Sequence, residues 1–466
     1  MRTVKIGLIP SHRVPFGEQW ARQMRQRCLA VLHKIEGLDL VVPDENLTEG
    51  GLVRSRDDAL IALDLFRRER VAGVIVGGMT FGHETSAVGV LIAGLERGTP
   101  VLHFATRGAE IAGDGLRASD SWCGQFMITS AMKRRGILYE HIPTCFPEEP
   151  VFAAWCARFT RACAARQAFV GARIGQIGAR PEEFESVWWD EATMQRDFNQ
   201  TVVPVDLDEV FSRVDRVSPD GAEAQAVTAE IRAGADVEGL PAEAVATLAR
   251  YEIALRELAR EKSLAAMGVN CWTRLQERFG ISACSTLGRL TDSGILCSCE
   301  VDIYGAATML AAYGAALDRV APHFIDWTEL HPALENVWLA WHCGNAPPSA
   351  CCPGCRACLR DHSILPLSSS WGTREFRLKP GPVTCCRLVE YEGAWTMFIG
   401  KGEVIETEPY VRGSYGWVRV ADVFDWERKM VDHGIIHHGV LLHDPAVAEA
   451  LESFCKFLGI KVLRGA

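Results

Sequence analysis

A chain of 466 residues is too long for one hydrophobic core, and two or three domains are expected. Its 48% hydrophobic and 23% charged residues describe a globular protein, not a disordered or fibrous one. The net charge of −10 argues against nucleic acid or an anionic membrane surface as the main partner.

The chain opens on a strand, Val4–Ile9, and Met1–Pro10 has neither the long apolar centre nor the cleavage site of a leader. An amphipathic helix follows over Gln19–Ile35, with Trp20, Met24, Cys28, Val31 and Leu32 at helical spacing. Asp57–Arg68 is a second helix. Val71–Val76 is a buried strand that exits through Gly77-Gly78. His83–Leu95 is a helix, and Pro100–Phe104 another strand. This alternation predicts a doubly wound parallel sheet. Ligands gather at the carboxyl ends of such strands. Ser11-His12-Arg13, Gly77-Gly78 and the stretch from Arg117 to Gly124 are therefore candidate cleft loops. No nucleotide-binding glycine fingerprint is present.

A helix over Phe152–Phe169 leads to a second unit, opening on the strand Ala172–Gly178. Val202–Val205 is a strand; Asp206–Val214, Glu223–Arg232 and Pro241–Ala266 read as helices, the last stopped by Gly268. After Pro366 the texture changes. Val383–Leu388, Trp395–Ile399, Val404–Ile405 and Gly416–Val420 are short segments between glycine-containing turns, the mark of an antiparallel barrel or sandwich. A closing helix, Pro445–Leu458, and a strand, Lys461–Leu463, complete the chain. The expected organisation is an N-terminal α/β domain (1–170), a second α/β domain (171–345) and a β-rich C-terminal domain with a closing helix (346–466). No apolar run reaches the roughly 18 residues of a spanning helix.

Chemistry concentrates between Leu296 and Gly344. Glu300 precedes an apolar run that reads as a helix start, and Asp326 follows the strand-like His323-Phe324-Ile325, at its exit. With His342 and the pair His437-His438, the chain offers mixed oxygen and nitrogen ligands suited to a divalent ion such as Mn²⁺. Trp338, Trp341 and Trp371 have rings able to stack on a sugar or to pack a core. The 17 cysteines are scattered, and most read as reduced, buried thiols of a cytoplasmic protein. Cys351, Cys352, Cys355 and Cys358 stand apart. Cys352-x₂-Cys355-x₂-Cys358 has the spacing of zinc or iron–sulfur ligands, and Cys351-x₃-Cys355-x₂-Cys358 that of a radical S-adenosylmethionine motif. Inert thiols are the third reading, and no (β/α) barrel start precedes the cluster to favour radical chemistry.

The run Cys299-Glu300-Val301-Asp302-Ile303-Tyr304-Gly305, then Asp326-Trp327, His342-Cys343-Gly344 and Gly434-Ile435-Ile436-His437-His438-Gly439, resembles the L-fucose isomerase / L-arabinose isomerase superfamily, nearer its fucose-isomerase-like members. The resemblance implies two α/β domains and a β-rich domain, and an Mn²⁺-dependent aldose–ketose isomerase working through an ene-diolate. Glu300 and Asp326 match the family's metal-flanking, proton-moving acids, and His438 its C-terminal histidine ligand. His342 stands where the arabinose branch has a further ligand. The resemblance also implies a homo-oligomer, trimer or hexamer, in which a neighbour's first domain helps close the sugar site. Arg13, Gly78, Arg117, Trp341 and His437 are the expected substrate-binding residues, the arginines being able to meet a charged substituent on the sugar. Another ene-diolate reaction on the same fold, epimerisation or carbon–carbon cleavage, and a sugar-binding protein without turnover are the alternatives.

Overall fold

The computed structural model describes residues 1–108, 117–364 and 370–466. The chain forms two units, Met1–Gln167 with Glu452–Gly459, and Ala168–Leu451 with Ile460–Ala466.

In the first unit, strands β1 (Val4–Ser11), β2 (Leu38–Val41), β3 (Gly73–Gly78), β4 (Val101–Ala105) and β5 (Glu140–His141) make a parallel sheet of order β2-β1-β3-β4-β5. β1, β3 and β4 are nearly continuous apolar runs because helices cover both faces of such a sheet. The expected helices are present. That over Arg56–Glu69 starts on a reciprocal cap: Ser55 Oγ accepts from Asp58 N at 3.1 Å, and Asp58 accepts from Ser55 N at 3.0 Å. The helix expected at His83–Leu95 is wound wider, as a π-helix over Thr85–Ile92.

The second unit opens with a parallel sheet of β6 (Arg173–Ile177), β7 (Thr201–Val205), β8 (Ala266–Val269) and β9 (Leu296–Ser298), in the order β7-β6-β8-β9. One sequence expectation fails here. The helix read as Pro241–Ala266 ends at Glu261, and Gly268 is not its stop but a residue of β8. Leu264–Val269 is a short apolar run, which periodicity alone cannot assign to helix or strand.

The remaining strands are β10 (His323–Leu330), β11 (Val337–His342), β12 (Cys358–Asp361), β13 (Trp371–Arg377), β14 (Gly381–Tyr391), β15 (Ala394–Ile405), β16 (Ser414–Arg419), β17 (His438–Leu442) and β18 (Lys461–Arg464). They form one sheet of order β12-β13-β16-β11-β10-β17-β14-β15-β18, and a further β15–β16 pairing closes its centre into a barrel. The segments read as Trp395–Ile399 and Val404–Ile405 are one continuous strand, β15. β10 and β11 belong to this sheet, so the antiparallel layer begins at His323, ahead of the texture change seen in sequence. No helix among the described residues is long and apolar enough to cross a membrane.

Candidate active site

The site lies in the second unit and is assembled from three local structures. The first is the turn from β9 into the helix Ile303–Ala315. Glu300 and Val301 both adopt positive φ there, 52° and 59°, a backbone rarely taken by L-residues and least by β-branched ones. The turn leans on β8: Val301 N donates to Val269 O, and a Cβ added at Gly268 would come within 3.1 Å of the Val301 backbone. Asp302 then caps the helix, accepting from Gly305 N at 2.8 Å.

The second is the barrel wall. Asp326 lies within β10, not at a strand exit, and pairs across the ladder with His438, the first residue of β17 rather than a turn residue. His342 ends β11. Gly439 lets the wall close, since a Cβ there would lie 2.2 Å from the Trp327 ring.

The third is the segment after β8, where Cys271 and Trp272 turn toward Glu300. Trp272 Nε1 donates to Glu300 Oε1 at 3.1 Å and the Cys271 thiol donates to the same oxygen at 3.3 Å. Two donors on one oxygen leave the other, Oε2, facing the imidazoles. Glu300 Oε2 stands 3.7 Å from His342 Nε2 and 3.6 Å from His438 Nε2, and Asp326 Oδ1 is 3.5 Å from His438 Nε2.

Behind His438 is a support that the sequence reading missed. His438 Nδ1 meets Asp302 Oδ2 at 2.9 Å, and Arg387 of β14 grips the same carboxylate through both its terminal nitrogens, Nη2 reaching Oδ1 at 3.0 Å. Asp302 is 0% and Arg387 1% exposed. A carboxylate that takes the Nδ1 proton fixes the tautomer and presents Nε2 as a ligand. The signal available in sequence was only an Asp before an apolar run, which marks a helix cap. Arg387 lies 85 positions away.

These neighbours set the charges. Burial alone would raise the Glu300 carboxyl, but His342, His438 and Trp272 outweigh it and hold it at about 2. Asp302 is likewise opposed by burial and held well below the usual carboxylate range by Arg387 and His438. Asp326 moves the other way: burial lifts it, helped by Glu300, and the two histidines only partly offset this. Burial works against a charged His342, but Glu300 and Asp326 raise it.

Glu300, His342 and His438 each offer a ligand atom within 4.8 Å of the others, as do Asp326, His437 and His438. The buried oxygens Glu300 Oε2 and Asp326 Oδ1 have no hydrogen-bond partner among the described residues. Unsatisfied buried carboxylate oxygens facing imidazoles are costly unless a cation joins them, so this donor set fits a divalent metal. His437 borders it, with Phe184 stacked against its ring at 5.4 Å, Nδ1 3.4 Å from Ser186 Oγ, and Nε2 buried without a partner among the described residues.

Other expected residues go elsewhere. Trp341 packs among Val337, Leu339, Tyr415 and Trp417 and gives its indole N–H to Arg412 O at 2.6 Å, so its ring is core rather than a sugar platform. Arg13, Gly78 and Arg117 lie in the first unit. Arg13 follows β1 and pairs with Glu84, buried Gly78 ends β3 and accepts from Ser121 Oγ, and Arg117 pairs with Asp120 at 3.1 Å. Cys352 and Cys355 are joined as a disulfide, whereas Cys358 sits on β12 with its thiol toward Arg356 O at 3.8 Å. Among the described residues, these three sulfurs are not one of the groups whose ligand atoms lie within 4.8 Å of one another. Their spacing in sequence suits a ligand loop; in the fold Cys358 opens β12 and pairs with Glu375 of β13.

Residues 7–169 match the model of the fucose/sulfoquinovose isomerase N-terminal domain, and residues 340–464 that of the L-fucose isomerase C-terminal domain. The chain belongs to the fucose isomerase family. It is 23% identical to the sulfoquinovose isomerase of Priestia aryabhattai over 460 residues, 97% of each chain. It is 27% identical to that of Alkalicoccus urumqiensis over 287 residues, 60% of this chain and 62% of that protein. The sulfoquinovose isomerase of Clostridium sp. (strain MSTE9) is 25% identical over 53% of this chain and 54% of its own. The fucose-isomerase C-terminal match contains His342, His437 and His438, while Glu300, Asp302 and Asp326 fall between the two matched segments.

Proposed function

We propose that this family member is a divalent-metal-dependent aldose–ketose isomerase acting through an ene-diolate, with a 6-sulfonated hexose such as sulfoquinovose as substrate. The observation that carries the reading is the pair of orphaned buried oxygens, Glu300 Oε2 and Asp326 Oδ1, beside Nε2 of His438 and His342. The names of the relatives support the sulfonated substrate.

Glu300, Asp326 and His438, with His342 beside them, would hold the ion, Mn²⁺ being the expected one. Such an ion supplies Lewis acidity to the neighbouring carbonyl and hydroxyl oxygens of the sugar. The chain's own residues do the rest. Isomerisation takes a proton from the hydroxyl-bearing carbon next to the carbonyl and delivers one to the former carbonyl carbon. A carboxylate must hold that proton between the two carbons while a second group serves the oxygens. The environments shift the two acids in opposite directions: His342, His438 and Trp272 hold the Glu300 carboxyl down against its burial, while burial raises that of Asp326. Asp302 and Arg387 keep Nε2 of His438 aimed at both. The family resemblance further supports a cytoplasmic homo-oligomer with shared sites, in which Arg13, Gly78 and Arg117 of one copy serve a neighbour's sugar.

The test is metal-stripped protein reloaded with Mn²⁺ and offered sulfoquinovose, glucose, L-fucose and L-arabinose in deuterated water. Ketose formation from sulfoquinovose with solvent deuterium at carbon 1 is expected, dependent on the ion. Equal turnover without metal, or none on any aldose, would sink the reading.

A further inference from the structure

The oxygen of Glu300 that faces away from the histidines enters a different environment, made of sulfur. Cys271 Sγ lies 3.3 Å from Glu300 Oε1, and ligand atoms of Cys271, Cys299 and Glu300 all fall within 4.8 Å of one another. Cys299 receives an N–H from the Asn345 amide at 3.4 Å, and Gln276 holds the backbone of Cys271 through a 2.8 Å bond to its carbonyl. Cys271, Cys299 and Glu300 are 5%, 0% and 5% exposed. Cys284 and Cys343 are close enough to feel the charge of both Cys271 and Glu300. A free sulfur pair rigidly placed on a carboxylate, with an amide donor on one sulfur, has the composition of a soft-metal site and not of a hard one. Thiolates prefer zinc and other thiophilic d¹⁰ ions, whereas Mn²⁺ and Mg²⁺ favour oxygen.

We propose that Cys271, Cys299 and Glu300 Oε1 form a second cation site, selective for a thiophilic divalent ion such as Zn²⁺ or Cd²⁺, that shares Glu300 with the sugar site. Ligation at about 2.3 Å to sulfur and about 2.0–2.2 Å to oxygen needs ligand atoms roughly 3–4 Å apart, within small side-chain rotations of the spacing here. Binding replaces two S–H bonds by two S–metal bonds and releases two protons, with no change of oxidation state. The Asn345 amide would donate to the Cys299 thiolate as an outer-shell partner. The ion would occupy the oxygen now held by Trp272 and Cys271, so filling this site alters the carboxylate that the isomerase reaction uses. The site is built from residues of the second unit alone and stands independently of the substrate assigned above.

Cd²⁺ is the probe, added to full-length protein with the Cys352–Cys355 disulfide intact and already saturated with excess Mn²⁺. One tight equivalent is expected, with thiolate-to-cadmium charge-transfer absorption in the ultraviolet and release of about two protons, as two thiols displaced by one ion require. Cys299→Ala, and separately Cys271→Ser, should each weaken this binding at least about 100-fold, more than the loss of an outer-shell partner. Cys352→Ser/Cys355→Ser/Cys358→Ser should leave it within about twofold. Cadmium bound without the charge-transfer band overturns the proposal. So does a band that survives both Cys271→Ser and Cys299→Ala, or one that disappears in the Cys352/Cys355/Cys358 variant.

Discussion

Asp302→Asn isolates the support behind His438. The amide keeps the shape and can still accept from Gly305 N, so the helix cap survives. What is lost is the charge between two buried partners. Arg387, 1% exposed, is left with a buried charge and no counter-ion. Removing one member of a buried pair typically costs about 3–5 kcal/mol. His438 also loses the acceptor that fixed its Nδ1 proton, a kind of loss that costs roughly 10–100-fold in metal affinity. The two effects separate in two assays, denaturant unfolding of metal-free protein and calorimetric titration with Mn²⁺. Asp302→Asn should be destabilised by several kcal/mol and bind Mn²⁺ at least tenfold more weakly. Asp302→Asn/Arg387→Met should recover much of the stability, because no charge remains buried, and none of the affinity, because His438 is still unsupported. If Asp302→Asn stays within about 1 kcal/mol and within about threefold in affinity, ordinary values for surface substitutions, the role assigned to Asp302 is wrong.

Glu300→Gln keeps a partner for Trp272 and Cys271 but should lower turnover by about 10²–10⁴-fold, the usual cost of an acid–base group; steady-state rates within a few-fold of wild type would count against it. Trp272→Phe removes one of the groups holding the Glu300 carboxyl down, so that carboxyl should rise and the acid limb of the kcat/KM profile should move to higher pH; an unmoved limb contradicts the assignment. Asp302 is depressed in the fold, so its stabilising contribution is complete above the unfolded Asp value near 4 and is lost as pH falls through the lower folded value. The stability gap between wild type and Asp302→Asn should therefore be full at pH 7 and shrink only in strong acid, and a gap independent of pH down to unfolding would refute the ionised state. Gly439→Ala must displace the Trp327 ring and should cost roughly 1–3 kcal/mol in thermal or denaturant unfolding; an unchanged midpoint would show that the ring yields freely.

The alternation of strand and helix in the first 170 residues could be read because β1, β3 and β4 are nearly continuous apolar runs and the helices between them keep an apolar face; the short β2 and β5, which carry Asp39, Glu140 and His141, gave no such run. Glu300, Asp326, His342 and His438 could be picked out as an ordered set and do converge. The parts that sequence hid share one cause, dependence on partners far along the chain. β10 and β11 gave no period-two signal, since Trp327, Trp338 and Trp341 are packed against barrel neighbours instead of alternating with polar residues. Ala266–Val269 is equally compatible with helix and strand as a sequence, and becomes a strand because β6 and β9 flank it. Asp302 caps its helix, but its pairing with Arg387 and His438 needs the helix, β14 and β17 together. Trp272 and Cys271 sit in an irregular segment with no pattern to read.

The turn at Glu300 and Val301 has a consequence for how this protein can change. Two successive L-residues in left-handed backbone cost about 1–2 kcal/mol each. The local sequence offers no glycine to relieve that cost, so the conformation is imposed by what surrounds it. Gly268 is part of that surround, because a Cβ there would lie 3.1 Å from the Val301 backbone, closer than side chains ordinarily come, and the turn would have to give way. A residue 32 positions before Glu300, buried in β8, thus helps determine where its carboxylate points. Drift at position 268 should be epistatic with the active site: a methyl group there would be felt first as misdirected chemistry, and tolerated only in descendants that had already reshaped the turn.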